Sequence, residues 1–222
     1  MFRRRQKPLR ARYDVINYFV RKGNAKTYLE IGTSTGRCLD RVRCREKTGV
    51  DPNPRETKPG WNIQKLTSDR FFSQNRSTFD VIFIDGLHLA EQVFRDIVNG
   101  MAALSPRGTL LLHDCNPLSE VAASRDVSLA DGHDWNGDTW KAVAYVRRHH
   151  PDIFCRVLDV DQGIGIILPR TGQGLGELNR ELEDRARQYF DSIDWEDLQR
   201  DRTDLIGLIS GQERLERELE IA

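Results

Sequence analysis

The sequence has 222 residues with 34 basic and 34 acidic side chains, so its formal net charge is zero with the histidines neutral. This length suits one domain with extensions, the balanced charge gives no overall basic field of the kind that attracts nucleic acids, and no apolar run approaches the ~20 residues of a membrane span. From these two features we expect no nucleic-acid partner and no membrane span. Because the four cysteines lack zinc-site spacing, we expect free thiols and a cytoplasmic location.

The first 24 residues predict a basic end followed by a helix. Residues 1–7 are rich in arginine and are not followed by the apolar stretch of a secretory signal, so we expect a solvated segment. Apolar residues at positions 15, 16, 19 and 20 recur with helical spacing, and Gly23 with Asn24 ends the pattern. We therefore separate residues 1–24 from a main domain at 25–170 and a charged helical extension at 171–222.

A glycine-spaced turn follows the first predicted strand, residues 27–31. Glu30 lies just before the turn 32–36, whose glycines permit positive φ and close approach to a ligand. The Glu30 carboxylate would repel a pyrophosphate but attract a positively charged group. Asp51 ends the next apolar run, 21 residues after Glu30, where an acid suits a ribose diol. Together these residues indicate a nucleoside ligand with a cationic centre and no phosphate.

Strand and helix patterns alternate further along the chain. Residues 61–66 predict a short third strand, and residues 79–85 form an apolar run typical of a strand buried on both faces. Residues 89–104 predict a helix, and residues 109–114 a fifth strand. Residues 115–137 show no clear period, which predicts a long loop of the kind that forms lids or binding loops.

The last two predicted strands, residues 154–158 and 163–168, are joined by four residues. This connection is too short for a right-handed crossover, so the two strands must form an antiparallel hairpin. The whole pattern predicts an α/β fold with a seven-stranded, mostly parallel sheet, an antiparallel last strand and helices on both faces. Two amphipathic helices are predicted in the extension, one with Leu178, Leu182, Tyr189 and Phe190, the other with Leu198, Leu205, Ile206, Leu208 and Ile209. We expect them to dock on the domain or to pair two copies of the chain.

Polar residues follow two neighbouring strands. Asp85 and His88 come after the fourth strand, and His113 and Asp114 end the fifth. Ligands of open α/β sheets bind at the carboxyl ends of the strands, so these side chains should meet beside the ligand cleft. Carboxylates suit Mg²⁺, and a histidine of near-neutral pKa can accept a proton. Trp135 in the long loop is expected either to stack on an acceptor ring or to anchor the loop.

The motif Glu30-x-Gly32-x-Ser34-x-Gly36, together with Asp51, resembles the first motif of S-adenosylmethionine-dependent methyltransferases with a Rossmann-like fold. Ser34 replaces the middle glycine, as in the catechol O-methyltransferase-like branch and in small natural-product and sugar O-methyltransferases. The resemblance covers about residues 25–170 and implies S-adenosylmethionine as cofactor and S-adenosylhomocysteine as product. It implies cofactor contacts from Glu30, Gly32, Thr33, Ser34, Gly36, Asp51, Ser68, Asp69 and Asp85.

Metal-dependent sugar and macrolide O-methyltransferases carry Asp-x-x-His after the fourth strand, and Asp85 with His88 matches this pattern. The resemblance implies Asp85 as a metal ligand and His88 as the base. Asp114 fits a second ligand position, whereas His113 replaces an acid and Cys115 stands where catechol-type enzymes have asparagine. Three options stay open: Mg²⁺ with fewer protein ligands, an imidazole-preferring metal such as Mn²⁺, Fe²⁺ or Zn²⁺ with His113 as a ligand, and metal-free catalysis by His88.

The function predicted from the sequence is S-adenosylmethionine-dependent O-methylation of a small hydroxylated acceptor, such as a sugar, a glycan precursor or a natural product. Asp85, His88 and Asp114 are the predicted catalytic residues. One alternative is a nicotinamide-dependent oxidoreductase, which the missing middle glycine at Ser34 disfavours. The other alternative is a binding protein that keeps the fold without catalysis and uses its charged extension as the interface.

Overall fold

The computed structural model describes residues 8–130, 134–169 and 173–221, so the basic segment 1–7 and residues 131–133 of the predicted loop lie outside the described residues. The helices are α1 (Arg12–Lys22), α2 (Arg37–Arg41), α3 (Ser68–Gln74), α4 (Ala90–Ala102), α5 (Thr139–His149), α6 (Arg180–Asp191), α7 (Trp195–Arg200), α8 (Arg202–Leu205) and α9 (Gln212–Ile221). The strands are β1 (Thr27–Ile31), β2 (Glu46–Val50), β3 (Asn62–Gln64), β4 (Phe79–Ile84), β5 (Leu104–Leu112), β6 (Phe154–Leu158), β7 (Ile164–Leu168) and β8 (Leu208–Ile209). None of the described helices combines the length and apolar character needed to cross a bilayer.

The strands form one sheet in the order β3-β2-β1-β4-β5-β7-β6-β8. Strand β7 runs antiparallel to both of its neighbours, β5 and β6, whereas the other pairings are parallel. The predicted mostly parallel sheet with one reversed strand is therefore confirmed. The predicted strand count was one too low, since the described residues contain eight strands and the eighth comes from the extension.

The extra strand also corrects the second helix predicted in the extension. That pattern contains two short helices, α7 and α8, and then Gly207, which turns the chain with φ +65°. Beyond this turn Leu208 and Ile209 pair with Val157 and Leu158 at the sheet edge. Ile209 is buried and Leu208 is partly buried in this edge strand, instead of on one helix face.

The central strand β4 supplies two hydrophobic cores. Ile82 and Ile84 belong to the core that contains residues of α4, α5 and α6, whereas Val81 and Phe83 belong to the core under α1 and α2. Successive side chains of a strand point to opposite faces, so one apolar run fills both layers. This packing fixes the carboxyl end of β4, where Asp85 begins the candidate site.

The extension contributes to both hydrophobic cores. The side chain of Asn179 caps the start of helix α6, which buries Leu182, Ala186 and Phe190 in the core beside α4 and α5. Helix α9 buries Leu215 in the opposite core. Pairing of two copies through these helices stays a prediction.

Candidate active site

The glycine turn lies against the start of the segment that follows β4. Gly32 has φ +86°, and a Cβ there would lie 1.9 Å from the carbonyl oxygen of Asp85. Gly36 has φ +67°, and its Cβ would meet the ring of Trp61 at 2.1 Å. Ser34 adopts φ +45°, the left-handed region in which glycine is the usual residue. The turn is therefore held close to the β4 end, and serine takes the conformation of the glycine that it replaces.

Asp51 lies at this turn, as the sequence predicted. Its Oδ2 accepts a hydrogen bond from the backbone N–H of Ser34 at 2.7 Å, and its Oδ1 accepts one from Asn53 at 2.8 Å. These two bonds hold the carboxylate at the tip of β2 beside the turn. The acid is thus oriented before any ligand binds.

Two cavities flank the turn and share Gly32, Ser34, Asp85 and Gly86. The first, of about 560 Å³, is lined also by Glu30, Thr33, Arg37 and His88, among others. The second, of about 410 Å³, is lined also by Val50, Asp51, Ser68, Leu87 and Gln92, among others. A ligand with one polar, cationic end and one nucleoside end would have room on both sides of the turn.

Asp69 is a predicted cofactor residue that lines neither cavity. Its carboxylate accepts a hydrogen bond from Gln92 at 3.1 Å and lies 3.4 Å from the Nε of Arg95. The Gln92 amide also donates to Ser68, and Ser68 and Gln92 do line the second cavity. Asp69 is therefore placed behind the residues that face the cavity.

Glu30 is a buried carboxyl group on the floor of the first cavity, with 1% of its surface exposed. The hydroxyl of Tyr28 donates to its Oε2 at 2.6 Å. Burial raises the pKa of Glu30 to about 7, although the Tyr28 hydrogen bond acts in the opposite direction. A cationic ligand group would favour the ionised form and so would bind with proton release.

His88 faces two carboxylates through one ring nitrogen. Its Nε2 lies 3.2 Å from Asp114 Oδ2 and 3.5 Å from Asp85 Oδ1, while Nδ1 lies 3.0 Å from the carbonyl oxygen of Trp135. Because that carbonyl can only accept, Nδ1 carries a proton and Nε2 is the atom available to take another. Burial lowers the pKa of His88, but the hydrogen bond with Asp85 and the charges of Asp114 and Asp85 outweigh it and raise the pKa.

Trp135 anchors the loop at this histidine. Its ring stacks on the His88 imidazole, with centroids 5.0 Å apart and 27° between the planes. Its indole Nε1 donates to the carbonyl oxygen of Ser124 at 2.6 Å. Of the two roles predicted for Trp135, the structure shows the anchoring contact.

His113 lies beneath the same cluster and is 4% exposed. Its Nδ1 is 2.8 Å from Asp114 Oδ2 and 3.4 Å from Asp85 Oδ1. Its Nε2 has no hydrogen-bond partner among the described residues and lies 3.6 Å from Asp161 Oδ1. Burial lowers the pKa of His113, but the charge of Asp85 and the nearby carboxylates of Asp114 and Asp161 raise it well above its usual value.

Arg12 is a site residue that the sequence reasoning missed. From the first residue of α1, its Nη1 donates to Asp85 Oδ2 at 2.7 Å, and its Nε lies 3.1 Å from Asp161 Oδ2. Burial raises the pKa of Asp85, but His113, His88 and Arg12 together hold it well below its usual range. Asp85 is therefore an ionised carboxylate that is already neutralised by this chain's own cations. No spacing rule links Arg12 to Asp85, which follows it by 73 residues.

The loop after β5 supplies a second missed residue, Asn136. Its Nδ2 donates to Asp114 Oδ1 at 2.8 Å, and its buried Oδ1 has no partner among the described residues. Next to it, Gly137 has φ +59°, and a Cβ there would lie 1.9 Å from the carbonyl oxygen of His88. The Asp138 carboxylate accepts from the Ala90 N–H at 2.7 Å, at the start of α4. These contacts bind the end of the loop to the segment that carries His88.

Asp85, His113 and Asp114 fit a divalent cation by their chemistry. One ligand atom from each lies within 4.8 Å of the others. Two carboxylates and one imidazole form a mixed donor set that suits Mn²⁺, Fe²⁺ or Zn²⁺ better than an all-oxygen Mg²⁺ site. Arg12 contacts the same Asp85 carboxylate, so a cation would share that carboxylate with the guanidinium or displace it.

Comparisons with known proteins agree with this architecture. Residues 29–115 match the family described as methyltransferase domain. No curated protein is significantly similar in sequence. A Staphylococcus aureus protein assigned as a caffeoyl-CoA O-methyltransferase is 17% identical, with a TM-score of 0.51 over 70% of this chain and 81% of that chain. A Bacillus cereus O-methyltransferase solved in complex with S-adenosylhomocysteine is 13% identical, with a TM-score of 0.50 over 70% and 79% of the two chains.

A third solved structure, the S-adenosylhomocysteine-bound methyltransferase PaMTH1 of Podospora anserina, is 16% identical, with a TM-score of 0.50 over 70% of this chain and 76% of that chain. At identities this low, the structural likenesses establish the fold. The family match covers the glycine turn, Asp51, Asp85, His88 and Asp114. Residues 29–115 therefore match a methyltransferase domain, and the predicted resemblance to S-adenosylmethionine-dependent methyltransferases of Rossmann-like fold is confirmed.

Proposed function

We propose that this chain transfers the methyl group of S-adenosylmethionine to a hydroxyl group of a small acceptor, with His88 as the base. The observation that carries the proposal is the position of His88, which lines the first cavity and whose Nε2 faces the carboxylates of Asp85 and Asp114. S-adenosylmethionine, when bound, supplies an electrophilic methyl group on a sulfonium. The acceptor oxygen forms the new C–O bond as the S–C bond breaks and its electron pair stays on sulfur.

The cofactor residues divide between the two cavities. Glu30 and the turn from Gly32 to Gly36 would hold the methionine end, because Glu30 offers a carboxylate for its cationic groups. Asp51 would accept hydrogen bonds from the ribose hydroxyls in the second cavity, and Ser68 would lie near the base. Asp69 would orient Gln92 and Ser68 instead of touching the cofactor.

His88 would take the acceptor proton at Nε2 and become an imidazolium. Asp85 and Asp114 lie within 3.5 Å of that nitrogen and would stabilise the positive charge. The Trp135 carbonyl fixes the other ring nitrogen as a donor, so Nε2 is the nitrogen that would exchange the proton. Alignment of the acceptor oxygen with the methyl group would provide much of the remaining rate enhancement.

A metal-assisted form of the same reaction is the second candidate. The convergence of Asp85, His113 and Asp114 favours it, and the Asn136 Nδ2 donates a hydrogen bond to Asp114 of that cluster. A cation held there would lower the pKa of the acceptor hydroxyl and fix its position.

The test begins with calorimetric titration of S-adenosylhomocysteine into the full chain, after chelation and then with Mg²⁺ or Mn²⁺. We expect S-adenosylhomocysteine to bind in each case. The metal-assisted form would be supported if the metal raises the affinity for S-adenosylhomocysteine, or if the heat of metal binding disappears in the Asp114→Asn variant. Binding of NAD in place of S-adenosylhomocysteine, or of neither, would overturn the proposal.

The role of His88 is tested by His88→Asn with 3,4-dihydroxybenzoate among a panel of hydroxylated acceptors. We expect methyl transfer to fall roughly 10²–10⁴-fold, the usual contribution of a general base, with the affinity for S-adenosylhomocysteine nearly unchanged. His149→Asn, on the far end of α5, is the control and should retain activity. Full activity of His88→Asn would remove His88 from the mechanism.

A further inference from the structure

The wall of the first cavity carries an arginine cluster, which we define as Arg12, Arg37, Arg41 and Arg55. These residues come from three separate parts of the chain. Arg12 begins α1, Arg37 and Arg41 are one helical turn apart on α2, and Arg55 follows β2. The backbone N–H of Arg55 donates to the carbonyl oxygen of Ser34 at 2.8 Å, which ties its loop to the glycine turn. Four guanidinium groups in a chain of zero net charge are thus gathered around one cavity.

Three members of the arginine cluster have no counter-ion in the structure as described. Arg12 is paired with Asp85 and Asp161, but Arg37, Arg41 and Arg55 form no ion pair with any described residue. Arg41 instead places its guanidinium 4.8 Å from the centroid of the Tyr13 ring, and Tyr13 lines the same cavity. A guanidinium group can stack on an aromatic ring and bind a carboxylate or a phosphate in a bidentate way.

The carboxyl groups of this cavity do not balance the arginine cluster. Asp85 is already engaged by Arg12, and Glu30 is the buried acid that the proposed reaction assigns to the cationic end of the cofactor. S-adenosylmethionine itself carries two positive charges and one carboxylate, so it adds net positive charge. With the cofactor bound, the mouth of the cavity would hold excess positive charge that a neutral or cationic acceptor would leave uncompensated.

We propose that the methyl acceptor carries an anionic oxygen group, a carboxylate or a phosphate, which Arg37, Arg41 and Arg55 bind while its hydroxyl faces His88. This inference rests on the proposed methyltransferase function and adds the substrate class. Arg37, Arg41 and Arg55 are exposed, whereas the His88 side chain is 19% exposed, so an anion held by these arginines would direct the hydroxyl inward to the base. Bidentate guanidinium contacts would both strengthen the binding of the anion and fix its orientation.

The test uses the full chain saturated with S-adenosylhomocysteine and three probes of one shape: benzoate, phenyl phosphate and neutral benzyl alcohol. We expect at least one anionic probe to bind and benzyl alcohol not to bind, and the affinity ratio of the two anions distinguishes carboxylate from phosphate. The double variant Arg37→Gln with Arg41→Gln should lower the affinity for the anionic probe by about tenfold or more, because it removes two charge-assisted contacts. Added salt should weaken binding in the wild type more than in the variant.

The matched control is Arg180→Gln with Arg187→Gln, which removes two exposed arginines from α6 and should change nothing. Equal anion affinity in the cavity variant and the wild type would overturn the inference, and so would tight binding of benzyl alcohol. If the anionic probes bind only when S-adenosylhomocysteine is left out, and the cavity variant binds S-adenosylhomocysteine more weakly, the arginine cluster belongs to the cofactor carboxylate and the inference is overturned. Anion binding through Arg37 and Arg41 in a protein that does not bind S-adenosylhomocysteine would retain the anion site and refute the methyltransferase proposal.

Discussion

The ionised carboxylate of Glu30 affects stability and ligand binding in opposite ways: it lowers the free energy of unfolding and is proposed to favour cofactor binding. Its carboxyl group is buried, and burial raises its pKa from 4.5 to about 7. Between these two pH values the folded chain holds a proton that the unfolded chain has released. The free energy of unfolding therefore decreases as the pH rises through this window and levels off above about pH 7. The same carboxylate is the group proposed to attract the cofactor.

Glu30→Gln should separate these two effects. At about pH 8 we expect the variant to be more stable than the wild type by up to about 3 kcal/mol, because each pKa unit corresponds to 1.36 kcal/mol. The stabilities should converge near pH 4, and the affinity for S-adenosylhomocysteine should fall. Urea denaturation at both pH values and calorimetry measure the two effects.

Glu46→Gln is the matched control for that prediction, since its side chain is 65% exposed and should leave both quantities unchanged. A Glu30→Gln variant that is less stable than the wild type at about pH 8 would contradict the account of the buried acid. Unchanged cofactor affinity would remove Glu30 from the binding site.

The predictability of the site also differs from residue to residue. Glu30, Asp51, Asp85 and Asp114 could be found because each lies at the end of an apolar strand pattern, where parallel strands present their ligands. Arg12 could not be found in this way. It begins a helix whose face is set by packing, and its contact with Asp85 depends on how α1 lies on the sheet.

At the scale of elements, the loop between β5 and α5 is held by its end near His88. Asn136 and Gly137 donate backbone hydrogen bonds to the carbonyl oxygen of Ala122 at 2.9 and 3.0 Å, and Asp138 donates one to that of His88 at 3.2 Å. A Cβ on Gly137 would be driven into the His88 carbonyl oxygen. The absence of a side chain at this position therefore permits the loop to approach the base.

Gly137→Ala tests that contact. We expect a loss of unfolding free energy of more than about 2 kcal/mol, from left-handed backbone strain of about 1–3 kcal/mol and an added clash. Methyl transfer should fall while S-adenosylhomocysteine affinity changes little, because Gly137 lines neither of the two cavities. Denaturation and calorimetry provide the two measurements.

Gly60→Ala is a suitable comparison, since Gly60 has φ +87° with nothing within 4 Å of the added Cβ. It should show the backbone strain without the clash. Equal losses in the two variants would mean that the loop end does not depend on its contact with His88.

At the scale of the whole molecule, the charged extension is part of the fold. The ring of Phe190 lies 6.1 Å from those of Phe94 and Tyr145, and Phe190 is 2% exposed. The extension also supplies β8 at the sheet edge and Leu215 in the opposite core. The boundary predicted at residue 171 lies outside the described residues and stays a prediction.

Phe190→Ala should therefore destabilise the entire chain, by about 3–5 kcal/mol for a buried phenylalanine. We expect one cooperative transition, in which the circular dichroism signal and S-adenosylhomocysteine binding are lost at the same denaturant concentration. Leu118→Ala is the control, because Leu118 is 72% exposed. An early transition that leaves cofactor binding intact would show that the extension unfolds by itself.

The sequence by itself determined the features that depend on neighbours along the chain. The alternation of strands and helices, the glycine turn and the hairpin forced by a four-residue connection all follow from local spacing and backbone sterics. These rules also placed the acids at the strand ends. The helix pattern of the extension failed at Gly207, because Leu208 and Ile209 are equally apolar on a helix face and in an edge strand.

Only the tertiary structure decided which of the polar groups meet. Arg12 reaches Asp85 across 73 residues, and Asn136 reaches Asp114 across 22, through distances set by helix and loop packing. The arginine cluster likewise forms because α1, α2 and the loop after β2 converge on one cavity. Contact between residues distant in the chain depends on how layers pack on the sheet, and no local periodicity carries that information.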